Sequence, residues 1–316
     1  MGAVTREKRK ITLKTDLPRT LKQVVDEYQN FGKIMKLSQQ TLKHRDNCLK
    51  LYLHVMGEDT MCKQITAKEL DKYFLLLNEK YDNVTTIRTN IQVIKSFMNF
   101  CSSRGYSKTL NIPMPKAVEA IKETYSDEDL RKLLKKPDRN SFNQWKSWAI
   151  CNFLIGTGCR VRTAINIKIK DLDFDNQLIT FTQTKNKRQQ IVPMSSKLSE
   201  VLKEYLSVWN YTEEDYLFPN FQGEQMTADA FKRNVQRYNN SRGVVITSSH
   251  AYRHSFAKRW ILNGGDIFRL QKILGHSTMD MVRKYVNMYS ADLQNGFDRF
   301  NPLDNIDDKT SIKFKK

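Results

Sequence analysis

From about Leu17 to Tyr106, apolar positions recur every three and four residues. Val84, Ile87, Ile91, Ile94, Met98 and Cys101 form one such stripe, as expected of a helix that buries a single face. Ser38 can cap a helix carrying Leu42, Cys48, Leu49, Tyr52 and Leu53. Thr66 with Glu69 makes a capping box ahead of Leu70, Tyr73, Phe74 and Leu77. The pattern predicts a small helical bundle with basic outer faces over residues 17–106, closed by Arg104-Gly105-Tyr106. Residues 1–16 read as a flexible basic tail, and residues 107–124, with Pro113 and Pro115, as an extended linker.

A second unit opens at Tyr125, where Ser126 and Asp129 form another capping box, and its predicted span is residues 125–300. An apolar run from Trp148 to Ile155 belongs to its helices. The period then changes: Leu178 to Thr182 and Gln190 to Pro193 read as two short strands around the basic turn Thr184-Lys185-Asn186-Lys187-Arg188. Helical periodicity returns from Ser196, with breaks at Pro219 and Gly243. Residues 301–316 read as a polar C-terminal tail. No repeat of solenoid period and no low-complexity tract interrupts this order. The expected fold class is mainly α with a small β-sheet, a helical domain followed by an α+β domain.

Length and charge sharpen that picture. A chain of 316 residues suits two cores better than one. Its 53 Lys+Arg against 34 Asp+Glu leave a net charge of +19 at pH 7, a surplus that favours polyanions and nucleic acid first. A generally basic protein of ribosomal type is the alternative on charge alone. Membrane binding is not expected, because no long apolar run or lipidation signal appears. The first ten residues lack the apolar centre of a signal peptide. Five cysteines (Cys48, Cys62, Cys101, Cys151, Cys159) are odd in number and never paired as CxxC. They are expected as small buried hydrophobes in a reducing cytoplasm, and no zinc ribbon or finger is supported.

The segments that carry chemistry are Gly156-Thr157-Gly158-Cys159-Arg160, Lys185 in its turn, and His250-Ala251-Tyr252-Arg253-His254-Ser255. Leu274-Gly275-His276-Ser277 follows, and Tyr285 stands nine residues past His276. In this order the set resembles the tyrosine recombinase family, which includes the phage integrases, the Xer recombinases and many transposon integrases. The resemblance spans the whole second unit, and the helical first unit fits that family's core-binding domain. It implies a core-binding domain and a catalytic domain closing as a C-shaped clamp on duplex DNA.

The implied roles match what the reaction requires. A phosphodiester is an anion, and two guanidiniums can fork onto its non-bridging oxygens; by resemblance these are Arg160 and Arg253. Tyr285 is the nucleophile, with His250 accepting its proton, because a phenol of pKa near ~10 attacks poorly at neutral pH. Lys185 is the general acid for the leaving 5′-oxygen, and His276 bonds a phosphate oxygen. A 3′-phosphotyrosyl bond conserves the energy of the broken linkage, so neither cofactor nor metal is expected.

Rivals stand beside several of these residues. Tyr289 lies four residues after Tyr285, Lys187 two after Lys185, and Arg162 two after Arg160. His250 and His254 have the spacing of a helical zinc pair, but Ala251 occupies the place of a metalloprotease glutamate and Arg253 would repel a metal. Two departures from the family pattern stand out. Thr163 replaces a common acidic residue, which puts carboxylate bracing in doubt, and Tyr252 replaces leucine, a change expected to alter packing and not chemistry. The expected partners are double-stranded DNA with inverted-repeat target sites and further copies of the chain, a dimer per site and a homo-tetramer overall. The expected location is a bacterial cytoplasm, on the nucleoid. Type IB topoisomerase-like relaxation and a non-enzymatic DNA-binding regulator are the alternative functions. A mobile element and chromosome-dimer resolution both remain open as the setting.

Overall fold

In the computed structural model the described residues are 19–116, 123–138, 141–182, 189–276 and 278–279. The chain divides into two compact units, residues 1–119 and 120–316.

The first unit is built from α1 (Leu21–Ile34), α2 (Gln39–Met56), α3 (Ala67–Lys80) and α4 (Val84–Ser103). Each start has a local cause. Thr20 and Gln23 cap α1 reciprocally, the Ser38 hydroxyl accepts the Thr41 N–H at 3.2 Å, and Glu69 accepts the Thr66 N–H at 3.1 Å. The stripe read from the sequence faces inward from Ile87 onward, with Ile87, Ile91, Ile94, Met98 and Cys101 all buried, whereas its first member, Val84, is exposed at the start of α4. Aromatic rings fill the centre, with Tyr52 edge-on to Tyr73 at 5.3 Å and Tyr28 edge-on to Phe97 at 5.6 Å. Such fully buried rings are worth about 3–5 kcal/mol each when truncated to alanine. The segment after α4 has no regular secondary structure up to residue 116 and packs on this unit. Ile112 is buried in its core, and Lys95 donates to the Ile112 carbonyl at 3.2 Å.

The second unit contains α5 (Asp127–Leu134), α6 (Phe142–Thr157), α7 (Val161–Ala164), β1 (Leu172–Asp173), β2 (Leu178–Phe181) and β3 (Gln190–Pro193). It continues with α8 (Ser196–Leu206), α9 (Ala228–Ser241), α10 (Ser249–Leu262) and α11 (Ile267–Leu274). The strands form an antiparallel sheet in the order β1-β2-β3, with Ile179 opposite Val192 and Phe181 opposite Gln190. Strand β1 has two residues, too few for any alternation to show in the sequence. Helix α6 is apolar on nearly every side and packs against α5, α8, α9 and α10, which makes it the axis of the core. Even Lys146 is enclosed there. Its ammonium donates to the Pro219 carbonyl at 2.8 Å and lies over the Phe142 and Phe221 rings, and burial pushes its pKa down. All five cysteines are buried thiols. Among the described residues, no helix is long and apolar enough to cross a membrane.

Candidate active site

The site begins where α6 stops. Gly158 takes a left-handed conformation, φ 60°, and a Cβ there would lie 2.6 Å from Phe256 and 2.8 Å from Leu274. Only glycine fits both the torsion and the space. Thr157 closes the turn by donating to the Phe153 carbonyl at 2.7 Å and accepting the Cys159 N–H at 3.3 Å. The chain then delivers Arg160 as the cap residue of α7. Its neighbour Cys159 is no nucleophile at neutral pH, because burial pushes the thiol up to about 11.

Helix α10 supplies two further candidates. Ser248 caps it by accepting the His250 N–H at 3.2 Å, and His250 and Arg253, three residues apart, share one face. His250 sits exposed in the first turn, whereas Arg253 is only 5 % exposed. A guanidinium so enclosed is tolerable only when hydrogen-bonded. Arg253 donates to the Gly158 carbonyl at 2.8 Å, to the Leu274 carbonyl at 2.8 Å and to His276 Nε2 at 2.6 Å. Because a guanidinium can only donate, Nε2 of His276 is the acceptor in this contact.

The end of α11 places His276. Gly275, φ 61°, returns its N–H to the Lys272 carbonyl, and the His276 N–H reaches back to the Gln271 carbonyl at 3.1 Å. This pair of bonds is a Schellman closure, which turns the chain sharply and sets the next side chain in place. The Leu274 carbonyl also accepts from Arg160 at 3.3 Å. One backbone oxygen at the negative end of a helix therefore holds both arginines, and Arg253 in turn contacts His276. This oxygen bears on the Thr163 question: backbone carbonyls brace the two guanidiniums here. Thr163 itself is buried in α7.

Structure thus brings together Arg160, Arg253 and His276, with His250 one turn before Arg253. Lys185 and Tyr285, with the rivals Lys187 and Tyr289, lie outside the described residues. Tyr252, though beside Arg253 in sequence, is fully buried, with its hydroxyl 3.0 Å from both Asn239 Oδ1 and Cys151 Sγ. Burial holds its phenol well above the usual value, so it packs and does not attack. Sequence reading missed the Leu274 carbonyl, since an acceptor on the main chain has no residue signature. It also missed Gln190, whose polar side chain opens β3 and gave the only available hint. Among the described residues, no three His, Cys, Asp or Glu side chains gather as metal ligands.

The first unit carries a second polar feature. Thr41, His44 and Arg45 of α2 face Thr85, Arg88 and Gln92 of α4 across a cavity of about 510 Å³ whose lining includes no carboxylate.

A mainly helical fold, a small antiparallel sheet and two arginines converging with a histidine are what the resemblance to the tyrosine recombinases implies. Comparison with known proteins agrees. The sequence pattern of the phage integrase family matches residues 108–291. The chain is 26% identical over 293 residues to tyrosine recombinase XerD of Staphylococcus haemolyticus, covering 88% of this chain and 98% of that protein. It is 26% identical over 236 residues to tyrosine recombinase XerC of Thermodesulfovibrio yellowstonii, covering 71% and 78%. Among solved structures, the Tn1549 transposon integrase in complex with transposon right end DNA superposes with a TM-score of 0.73 at 18% identity, covering 87% of this chain and 99% of that one. The XerH site-specific recombinase bound to a palindromic difH substrate gives a TM-score of 0.70 at 18% identity, covering 88% and 83%. This chain belongs to the phage integrase family.

Proposed function

We propose that the chain recombines DNA at a specific site through a covalent 3′-phosphotyrosyl intermediate formed on Tyr285. The observation that carries this reading is the shared Leu274 carbonyl, which gathers Arg160 and Arg253 beside His276. Two guanidiniums held that way stabilise the extra negative charge of a pentavalent phosphate, where a removed donor typically costs ~10²–10³-fold in rate. The Tyr285 oxygen attacks phosphorus and the bond to the 5′-oxygen breaks. His250 takes the phenolic proton, Lys185 protonates the departing oxygen, and His276 donates to the phosphate. Attack by another 5′-hydroxyl on the phosphotyrosine restores a diester and frees the tyrosine, so ATP is not consumed.

The assembly proposed is a dimer on each inverted-repeat target and a tetramer that exchanges strands through a Holliday junction, acting on nucleoid DNA in a bacterial cytoplasm. Similar solved structures are of a recombinase and an integrase bound to DNA, which supports a DNA partner. The carboxylate-free cavity between α2 and α4 supports a contribution of the first unit to DNA binding. The test is a plasmid carrying two copies of a target selected from random duplex DNA, incubated with the protein in excess EDTA. Recombinant circles are expected. Relaxed plasmid with no recombinants would favour a type IB topoisomerase-like activity. Loss in EDTA, restored by magnesium or zinc, would favour the histidine-pair site.

A further inference from the structure

Gln190 opens β3, at the base of the hairpin whose connecting residues include Lys185. Its side chain reaches out of the sheet to the end of α11. The amide Nε2 donates to the Lys272 carbonyl at 2.5 Å and to the Ile273 carbonyl at 2.8 Å. The next carbonyl along, that of Leu274, accepts from Arg160 and Arg253. Three consecutive carbonyls of one helix end thus hold a strand and both candidate phosphate ligands. Gly275 completes the fit: a Cβ there would stand 2.9 Å from Gln190 Oε1, so the glycine lets the amide lie against the turn that presents His276.

The chemistry suits an amide at this point. The last carbonyls of a helix concentrate about half a negative charge and need donors. A carboxylate would be repelled there, and an apolar side chain would take the amide donor from the Ile273 carbonyl and leave the Lys272 carbonyl with the Gly275 N–H alone. A neutral amide supplies two N–H bonds and adds no cation to compete with the arginines for phosphate.

We propose that Gln190 is a positioning residue, which ties the base of the β2–β3 hairpin to the α11 end so that Lys185 meets a phosphate held by Arg160 and Arg253. This rests on the reading of Lys185 as general acid. The acid must reach the 5′-oxygen while the arginines hold the other oxygens of the same phosphate. Misplacement of a reacting group by about 1 Å can cost ~10²-fold in rate. Gln190 touches no reacting atom and acts through what it fixes.

The experiment measures single-turnover formation of the covalent complex on a nicked suicide substrate, with protein saturating so that binding drops out. Gln190→Met keeps the bulk and loses both donors; Gln190→Glu keeps the shape and turns acceptors and charge toward the carbonyls. The expected result is a rate lower by about 10–100-fold for Met, lower again for Glu, with DNA affinity within twofold of the parent. A substrate with sulfur at the 5′-bridging position leaves without needing a proton, and should restore most of the Met variant's loss, as it should for Lys185→Ala. Wild-type rates for both Gln190 variants overturn the proposal, as does a loss that appears equally in DNA affinity. Sulfur rescue of Lys185→Ala without rescue of Gln190→Met overturns the coupling alone. No rescue of Lys185→Ala overturns the acid assignment, and the coupling with it.

Discussion

Among the described residues Asn90 is the one buried polar side chain of the first unit, whereas the second buries Lys146, Thr157, Asn234, Asn239, Arg253 and His276. The first unit is held by stripes of apolar and aromatic side chains on four amphipathic helices. The second uses an apolar axis, α6, to hold a polar network against the ends of α10 and α11. Shape complementarity suffices where a unit serves as a rigid support. Where the chemistry is proposed, charges are taken out of water and answered by carbonyls, an arrangement that would set their positions before a phosphate arrives.

The sharpest way to break this contrast is to delete one answered charge and one supporting ring. Arg253→Ala should cut covalent complex formation by on the order of 10³-fold or more, near the upper range for a removed transition-state donor. Arg253→Lys should recover little, because an ammonium cannot meet two carbonyls and a phosphate in the guanidinium's plane. Phe97→Ala should lose about 3–5 kcal/mol of stability while retaining the wild-type cleavage rate, measured with saturating protein well below its unfolding midpoint. A cleavage defect in Phe97→Ala comparable to that of Arg253→Ala would erase the distinction between the units.

A smaller effect sharpens it. Gly105 and Gly158 both end a helix at positive φ, 76° and 60°, but a Cβ on Gly105 meets nothing within 4 Å. Gly105→Ala should therefore cost only the left-handed torsion, about 1–2 kcal/mol. Gly158→Ala adds the collision with Phe256 and Leu274, a further 1–3 kcal/mol or so, and should also slow cleavage by displacing the Leu274 carbonyl. Thermal unfolding checks the first statement and single-turnover cleavage the second. Equal losses in the two variants would show that the arch at Gly158 is not tightly packed.

Much of this was legible beforehand, for identifiable reasons. Capping boxes at Thr66/Glu69 and Ser126/Asp129 are local chemistry, and both form as read. The two longer strands showed through their flanking turn, while β1 is too short to carry a period. Arg160, Arg253 and His276 stood out because their order and spacing resemble a family, and the structure brings the two arginines to one carbonyl with His276 against Arg253. That carbonyl was not visible, nor was the pairing of Gln190 with α11 across more than eighty residues of sequence. Main-chain acceptors leave no mark on residue identity, and long-range partners leave none on periodicity. Tyr252 shows the reverse case: its departure from the usual leucine reads as packing, and its hydroxyl is indeed spent inside the core.

The proposed covalent bond between Tyr285 and DNA is open to a direct test. The direct measurement traps the complex on a nicked suicide substrate, digests it with trypsin and nuclease, and locates the nucleotide by fragment mass spectrometry. Cleavage after Lys284 and Arg299 yields one peptide holding both Tyr285 and Tyr289, so fragmentation within it decides between them. A 3′-phosphonucleotide is expected on Tyr285, absent from Tyr285→Phe and present in Tyr289→Phe. The adduct on Tyr289, or on any residue of the first unit, would contradict it.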